Sequence, residues 1–555
     1  MVKLVAVYGP PGTGKTTYLL NKFVEECKEN HYLPTEILYA TFRRPMAEDF
    51  KRRLLVRKIT ESRDELLFVS TIHSVAWRLL AREFSWTKSR NVALPWVDYV
   101  EFCKKLHIPI SKEDVVKVKQ ALSENNVVIA SPQDFESLGF KIYSIYCNCI
   151  NTLTPFEKFN KLPEYMLPVF SPTEMVDSSF IVHVIDKWVK WLETNEKVDF
   201  AMMLWKCLEL KLSPEVSVAM FDEAHDMTPI QWRLFLQWIK ECNDVYVAFD
   251  LAQTIYSFWG VKPQYCIKVW EKAHEKIVLT PSYRLSKTVY NLARKILKKS
   301  GQKAPDIECV GETRVRWIPS MSFDRVIEAF KPITVLVRTK YHISNITTRL
   351  DSLGVIYRSI FGHGWNDKML TIYKVLRCIK NNNYNFSKSE FITLIKCVRD
   401  KYLTADKNHL VRIIKLNELT SNLINNCFRS SFFEIVKNSN PFSHDILLKS
   451  SEDSYGFSAD RLNVMSKAWD LNKPARIEVL IYTIHAAKGL EWDYVLVIDG
   501  ITRKIERYIN LYKEEYQNEH RVWYVAFTRA RKILFYSDSF LFKSGLDIPF
   551  LSRVV

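Results

Sequence analysis

The residues best suited to chemistry lie close to the start of the chain, in the run GPPGTGKT at residues 9–16. This run fits the pattern G-x-x-x-x-G-K-[ST] at every fixed position. In that pattern the glycines let backbone N–H groups close around phosphate oxygens, and the positive N-terminus of the next helix adds to the attraction. Lys15 can reach the outer phosphates, and the Thr16 hydroxyl can ligate Mg²⁺. The run predicts a nucleoside triphosphate site that uses Mg²⁺.

Two adjacent carboxylates, Asp222 and Glu223, follow a buried-strand pattern at residues 216–221. At the carboxyl end of a strand that faces a phosphate loop, such a pair has a specific use. Asp222 would hold the Mg²⁺ that Thr16 also touches, and Glu223 would polarise the attacking water. The alternative is a solvated acidic turn, which is less favoured once a phosphate loop is present.

Hydroxyl and ring side chains follow two more strand patterns. Thr41 and Phe42 come after the apolar run at 36–40, and His73 comes after the run at 66–69. The carboxyl edge of an open α/β sheet is where ligands bind, and such side chains suit phosphate contacts and base stacking. Local packing of Phe42 and His73 is an equally open interpretation.

A further loop combines an amide with two neighbouring rings. It follows the strand pattern at 243–249 and contains Gln253, Phe258 and Trp259. Gln253 could sense a terminal phosphate, and the two rings could stack on bases. This loop therefore extends the predicted site from phosphate chemistry toward nucleic-acid contact.

The elements that must position these loops form two α/β patterns, each interrupted by a helical, loop-rich stretch. We expect an α/β protein with two P-loop-type lobes built on parallel sheets, each interrupted by a mainly helical insertion. The predicted parts are 1–85 and 198–275 for the first lobe, 86–197 for its insertion, 276–365 and 476–555 for the second lobe, and 366–475 for its insertion.

The composition narrows the class of protein and of partner. The 555 residues carry 79 Lys and Arg against 62 Asp and Glu, a net charge of +17, which favours a polyanion such as nucleic acid. No run approaches the ~18 apolar residues of a membrane span. The eleven cysteines lack Cys-x-x-Cys spacing, which favours reduced thiols. Because the phosphate loop begins within ten residues of Met1, we expect no cleavable targeting segment. We also expect no membrane partner. The protein is expected to be intracellular, in the cytoplasm, the nucleoid or a viral replication site, and not secreted.

Taken together, these segments resemble the UvrD/Rep/PcrA family of superfamily 1A DNA helicases. The resemblance covers most of the chain outside the two predicted insertions, and its specificity comes from the order and spacing of many motifs. GPPGTGKT resembles motif I, ILYATFRRPMAEDFKRRL motif Ia, TIHSVAWRLL the TFHS segment, MFDEAHDMTPIQWRLF motif II, FDLAQTIYSFWGV motif III, PSYRL motif IV, VLVRT motif IVa, TIHAAKGLEW motif V and WYVAFTRAR motif VI.

The resemblance implies RecA-like lobes and a role for each matching residue. Implied for catalysis are Glu223, Gln253, Arg284 and Arg529, the two arginines reaching the γ-phosphate across the cleft. Implied for ATP binding are Gly9, Pro10, Pro11, Gly12, Thr13, Gly14, Lys15, Thr16, Thr17, Tyr283 and Glu491, with Tyr283 on the base and Glu491 on the ribose. Implied for Mg²⁺ are Thr16 and Asp222. Implied for the single-strand track are Thr41, Phe42, His73, Phe258, Trp259, Thr483 and His485.

The activity implied is ATP-driven 3′→5′ movement on single-stranded DNA, with unwinding at single/double-strand junctions. Two alternatives stay open: a translocase that displaces proteins or serves a nuclease or repair partner, and a nucleotide-switched DNA-binding protein. The chain departs from the family pattern at Thr17, where an arginine is usual, so the resemblance does not establish a strict preference for ATP over other nucleoside triphosphates. His225 stands where the family has glutamine, and Trp259 stands where it has arginine.

Overall fold

The computed structural model describes residues 2–123, 135–171, 174, 176–304, 306–359, 364–449, 457–537 and 547–551. It confirms the α/β class, because two large parallel sheets carry the fold and helices cover both faces of each. Among the described helices, none combines the length and apolar character needed to cross a bilayer.

The first sheet is parallel throughout, with strand order β3-β2-β4-β5-β1-β6. Its strands are nearly continuous apolar runs, as expected where helices bury both faces. Strands β4, β5 and β1 are neighbours in this parallel sheet, so their carboxyl ends lie together at the edge where such sheets bind ligands. The strands are β1 Lys3–Tyr8, β2 Ile37–Thr41, β3 Val69–Thr71, β4 Val218–Phe221, β5 Asp244–Phe249 and β6 Glu275–Val278.

Alternate side chains of these strands enter two separate cores. One face packs on α1 and α2, through residues such as Phe23 and Phe50. The other face packs on α3, α9 and α10 and continues into helices of the first predicted insertion. The helices on this sheet are α1 Lys15–Lys28, α2 Arg44–Val56, α3 Ile72–Phe84, α9 Phe200–Glu209, α10 Pro229–Trp238 and α11 Pro263–Lys272.

The second sheet is also parallel, with strand order β11-β12-β10-β13-β15-β9. Its strands are β9 Arg314–Ile318, β10 Ile333–Val337, β11 Tyr357–Ser359, β12 Val479–Thr483, β13 Trp492–Ile498 and β15 Ala530–Ser537. Two small pairs accompany it: β7 Pro281–Ser282 with β8 Glu308–Cys309, and β14 Ile501–Thr502 with β16 Asp547–Ile548.

One face of the second sheet packs on α13 and α14. The other face packs on α12, α21 and α23, and the same core takes in Phe42, Ile255, Tyr256 and Trp259 from the loops of the first sheet. The two lobes therefore share one apolar core at their junction. The helices on this sheet are α12 Lys287–Lys299, α13 Phe323–Ala329, α14 Tyr341–Ser352, α21 Ile484–Ala487, α22 Arg503–Leu511 and α23 Lys513–Phe527.

The two regions predicted as insertions consist mainly of helices. The first joins the core of the first lobe and also touches the second lobe, where Glu164 pairs with Arg507 at 3.1 Å. The second has a core of its own. The helices are α4 Lys88–Asn91, α5 Val100–Lys105, α6 Lys112–Ser123, α7 Leu138–Thr152 and α8 Ser178–Thr194, then α15 Asp367–Lys380, α16 Lys388–Cys397, α17 Lys407–Leu416, α18 Ser421–Cys427, α19 Ser430–Asn438 and α20 Ala459–Asp470.

The pairing of strands moves one predicted domain boundary, and the second sheet contains one strand that the sequence did not predict. The boundary predicted between residues 275 and 276 falls inside β6, which pairs with β1, so the first sheet extends to Val278. The edge strand β9 was absent from the sequence prediction, because its sequence RVRWI is largely exposed and lacks an apolar run.

Candidate active site between the two sheets

The phosphate loop connects β1 to α1 in the geometry that its glycines allow. Gly12 and Gly14 have φ values of 76° and 85°, in the left-handed region that favours glycine. Lys15 is buried, and its Nζ donates to the Gly9 carbonyl at 2.8 Å and lies 3.7 Å from Glu223 Oε1. The lysine is therefore held over the loop and beside the predicted catalytic carboxylate.

The second lobe rests directly on this loop. Ser282 Oγ donates to the Pro11 carbonyl at 2.8 Å, and the backbone N–H of Tyr283 donates to the Gly12 carbonyl at 3.1 Å. A Cβ atom added to Gly12 would lie 2.6 Å from the Cβ of Arg284. The glycine is thus required both by its backbone angle and by the closeness of the segment containing Arg284.

The acidic pair lies at the end of β4, opposite the phosphate loop. Asp222 Oδ2 accepts from Thr16 Oγ1 at 2.6 Å and from the Tyr39 hydroxyl at 2.9 Å. Burial, with the neighbouring Glu223, raises the pKa of Asp222 to about 6. Burial also acts to raise the pKa of Glu223, but Lys15 and the cations beyond it outweigh burial and lower that pKa to about 2. Glu223 is therefore ionised across the physiological range.

The oxygen donors near Asp222 fit Mg²⁺. A carboxylate and a threonine hydroxyl are hard ligands of the kind this ion prefers, and it keeps water for its remaining positions. The raised pKa of Asp222 also favours a bound cation, because a cation stabilises a buried carboxylate that has too little positive charge nearby. Thr16 and Asp222 are the residues that would hold the ion.

His225 lies between the acidic pair and the loop after β5. Its Nδ1 accepts from the backbone N–H of Asp250 at 3.0 Å, and burial holds its pKa well below the usual range. The ring is therefore neutral and carries its proton on Nε2, which lies 3.2 Å from Glu223 Oε2. Among the described residues, Glu223, His225 and Asp226 lie close enough together to bind a metal ion. Asp226, however, is already paired with a lysine of the second lobe.

Gln253 and Arg529 connect the two lobes beside the phosphate loop. Arg529, from the end of α23, donates to Gln253 Oε1 at 2.8 Å, and Gln253 Nε2 donates to Asp250 at 2.8 Å. Arg529 is buried, and its burial with Arg284 close by lowers its pKa to about 9. The predicted γ-phosphate sensor and one predicted arginine are thus in direct contact.

The other residues predicted to line the cleft, Arg284, Glu491 and Tyr283, differ in their partners and exposure. Arg284 pairs with Glu491 at 2.5 Å, so the arginine predicted for the γ-phosphate and the acid predicted for the ribose hold each other. Tyr283, predicted to stack on the base, is 71 % exposed and offers its ring to solvent beside the loop. These three residues lie at the mouth of the crevice, while Arg529 lies inside it.

Residues that the sequence reasoning missed supply further bonds across the lobes. Nζ of Lys488, beyond α21, donates to Asp226 and to the carbonyl of Gln253, and it lies 5.2 Å from the ring of Tyr256. Arg521 donates to the carbonyl of Thr254 at 2.6 Å. Lys488 stands in the motif that resembles motif V, which is the signal that could have identified it.

Most predicted track residues are buried in this arrangement. Phe42 packs on Tyr256 with ring centroids 5.6 Å apart, and Trp259 stacks on the same tyrosine at 5.1 Å. The Trp259 ring fills the core between the lobes in this arrangement, and its role in base stacking stays a prediction. The predicted residues that are buried are Thr41, Phe42, Trp259, Thr483 and His485.

Phe258 and His73 are the predicted track residues that keep partial exposure. The Phe258 ring lies 5.5 Å from the ring of His485, so the second lobe supports it from one side. The first insertion supports the same loop, because Asn148 Nδ2 donates to the Phe258 carbonyl at 3.1 Å. Burial lowers the pKa of His73 to about 4, so its ring is neutral at physiological pH.

Comparison with known proteins identifies similar sequences and family models. The family model described as the UvrD/REP helicase N-terminal domain matches residues 2–274, and the UvrD-like helicase C-terminal domain matches residues 462–539. The ATP-dependent DNA helicase PcrA of Staphylococcus aureus strain Mu50 is 21 % identical, with 94 % of this chain and 80 % of the relative covered. A probable DNA helicase II homolog of Mycoplasma pneumoniae is 22 % identical, with 95 % and 81 % covered.

The first prediction concerns Glu223. We expect Glu223→Gln to reduce DNA-stimulated ATP hydrolysis by at least about a hundredfold, because removing a group that activates the nucleophile typically has effects of this size. Nucleotide binding should persist, since Lys15 and the phosphate loop are unchanged. Steady-state ATPase rates and binding of a fluorescent ATP analogue measure the two properties. The exposed Glu271→Gln is the matched control, and near-normal turnover in Glu223→Gln would contradict the assignment.

The second prediction concerns the buried pair of Lys488 and Asp226. We expect Lys488→Met to lower the free energy of unfolding by about 3 kcal/mol at pH 8, because it leaves a buried carboxylate unpaired. Burial already raises the Asp226 pKa to about 6, and loss of Lys488 raises it further. A folded-state pKa above the unfolded value means that stability is lost as pH rises through it, so the deficit should shrink between pH 8 and pH 6.

Urea denaturation of the parent and the Lys488→Met variant at the two pH values measures this difference. Asp222 titrates in the same range, but it is present in both proteins and cancels in the comparison. The double variant Lys488→Met/Asp226→Asn should regain most of the stability and lose the pH-dependent part. A deficit of the same size at both pH values would show that Asp226 is not the group left unpaired.

Proposed function

This chain belongs to the UvrD/Rep/PcrA-like superfamily 1A helicases, which are ATP-dependent DNA helicases, and we propose that it moves 3′→5′ on single-stranded DNA by cyclic closure of its two lobes. The observation that carries the proposal is the contact between Arg529 of the second lobe and Gln253 of the first, at 2.8 Å beside the phosphate loop. Hydrolysis then depends on how the lobes meet. We also propose that the protein works inside the cell, on single strands and on junctions between single and double strands.

Residues of both lobes divide the hydrolytic work. Lys15 and the phosphate loop bind the triphosphate, and Glu223 orients the attacking water through its ionised carboxylate. Thr16 and Asp222 would hold a magnesium ion, which would supply charge neutralisation on the phosphate oxygens. Arg529, desolvated and aimed into the crevice, stabilises the charge that develops in the transition state. Because it comes from the second lobe, separating the lobes would remove it.

The loop from Gln253 to Gly260 transmits the nucleotide state to DNA. Gln253 lies at the phosphate end, and Phe258 lies at the exposed end, only five positions along the chain. His485 fixes the same loop by donating from Nε2 to the carbonyl of Ile255 at 3.2 Å. A change in the Arg529–Gln253 contact therefore reaches the Phe258 ring through a short, braced segment. Base stacking on that ring accepts any sequence.

The third prediction concerns polarity. We expect DNA with a 3′ single-stranded tail to be unwound and DNA with a 5′ tail to be unwound at least about tenfold more slowly, because loading on the tail sets the direction of travel. ATPase stimulation by single-stranded DNA should exceed stimulation by duplex or by RNA. Strand displacement and ATPase assays on these substrates provide the measurements.

Displacement of a bound protein from single-stranded DNA, measured beside strand displacement, separates two forms of the proposal. Protein displacement without unwinding would favour a translocase that clears strands or serves a nuclease or repair partner. Equal rates on both tails would contradict the proposed polarity. Absence of DNA-stimulated hydrolysis would leave a nucleotide-switched binding protein as the better description.

The fourth prediction concerns Phe258. We expect Phe258→Ala to weaken single-strand binding by about 1–3 kcal/mol, the usual contribution of one stacked base, and to slow movement on DNA. Hydrolysis without DNA should change little, since the phosphate contacts lie at the other end of the loop. Phe258→Trp keeps a stacking face and serves as the control. An unchanged affinity and stepping rate in Phe258→Ala would show that the ring only packs the loop.

A further inference from the structure

A cavity of about 330 Å³ opens on the first insertion, away from the phosphate loop. Its wall is largely apolar and is formed by helices α7, α8 and α9 and by the segment after α7. This volume reaches the lower end of the range found for ligand pockets, so it can receive one or two large side chains. The apolar residues that define it are Ile150, Leu153, Phe156, Val189, Met202 and Trp205.

Trp205 gives this cavity an exposed aromatic surface. It stands on α9 and is 38 % exposed, although its neighbours Met202 and Met203 are buried. An exposed tryptophan at the edge of an apolar pocket is a frequent centre of binding energy in protein interfaces. Its ring face also attracts cations, which links the pocket to a chemical class of partner.

The mouth of the cavity is acidic although the chain as a whole is strongly basic. Glu157, Glu193 and Glu209 line it, with Lys206 as the one cation among the lining residues. Lys206 lies 3.8 Å from Glu193, so that pair is balanced and Glu157 and Glu209 leave negative charge at the mouth. Such a rim repels phosphates and attracts lysine and arginine.

We propose that this cavity is a docking site for a segment of a partner protein in which a bulky apolar side chain is flanked by lysine or arginine. The apolar side chain fills the cavity against Ile150 and Met202. The flanking cations meet Glu157, Glu209 and the face of Trp205. Apolar anchoring with a complementary charged rim is the usual anatomy of a specific interface.

The position of the cavity couples it to the DNA-contacting loop, and this step rests on the proposed function. Cys149 and Ile150 of the last turn of α7 and Leu153 directly after it line the cavity. On the same turn, Asn148 donates to the Phe258 carbonyl, and Thr152 lies so close that a Cβ on Gly260 would be 2.6 Å from its methyl carbon. An occupant that shifts this turn therefore shifts the segment that carries Phe258.

Binding is tested on the full chain, without ATP or DNA, by fluorescence anisotropy of a short labelled peptide with a central Phe-Leu pair between two Lys-Arg pairs. A peptide with Ser-Ser in the centre and one with Glu-Asp pairs at the flanks are the controls. We expect only the basic, apolar peptide to bind. The exposed double variant Glu157→Lys/Glu209→Lys should weaken binding by about tenfold.

The matched variant Glu83→Lys/Glu271→Lys changes the net charge equally at exposed acids outside the cavity and should leave the affinity unchanged. An equal loss of peptide affinity in both double variants would show that only overall charge attracts the peptide, and this result would overturn the proposal. Equal binding of the Ser-Ser peptide, or preference for the acidic peptide, would overturn it as well.

Coupling is tested by DNA-stimulated ATP hydrolysis at saturating peptide. We expect the Phe-Leu peptide to lower the stimulated rate by about fivefold, at the low end of coupling between sites. The Ser-Ser peptide corrects for binding of basic peptides to DNA. Equal effects of both peptides would overturn the coupling, while a protein without any DNA stimulation would contradict the proposed function and leave the binding result intact.

Discussion

Buried cations that cross from the second lobe to the first are the constraint on which the structure depends. Lys488 pairs with Asp226, Arg529 with Gln253, and Arg521 with the carbonyl of Thr254. A charge removed from water costs several kcal/mol unless it is paired and hydrogen-bonded. The partners for these cations lie in the segments after β4 and β5. These contacts favour the arrangement of the two lobes seen here, and the same arrangement forms the crevice beside the phosphate loop.

Local patterns in the sequence predict the parts of this arrangement that are themselves local. The phosphate loop, the Asp222–Glu223 pair and the strand patterns at residues 216–221 and 243–249 follow from spacing and apolar runs, and the structure has strands β4 and β5 within those two patterns. Strands β6 and β9 escape such patterns, because their residues are mostly exposed at sheet edges. Short exposed strands look like loops until their pairing partners are known.

Contacts between distant segments leave no such pattern. Lys488 and Asp226 are 262 positions apart, so nothing near either residue indicates the pairing. The same limit applies to Trp259: adjacent rings in a loop suit base stacking, yet Trp259 is buried in the core shared by the lobes and Phe258 keeps partial exposure. Which ring meets solvent is decided by the second lobe, not by the loop sequence.

His225 shows how chemistry can be kept when a residue changes. A glutamine amide offers one acceptor and one donor, and a neutral histidine offers the same pair on its two nitrogens. Burial keeps this ring neutral, and the N–H of Asp250 occupies the acceptor, so the proton is on Nε2, which lies 3.2 Å from Glu223 Oε2 without forming a hydrogen bond. A protonated ring would lose the acceptor and break the link to the loop after β5. The burial that keeps the ring neutral therefore maintains the link between the segments after β4 and β5, and the same dry surroundings strengthen the electrostatic interactions of Arg529 and Asp222.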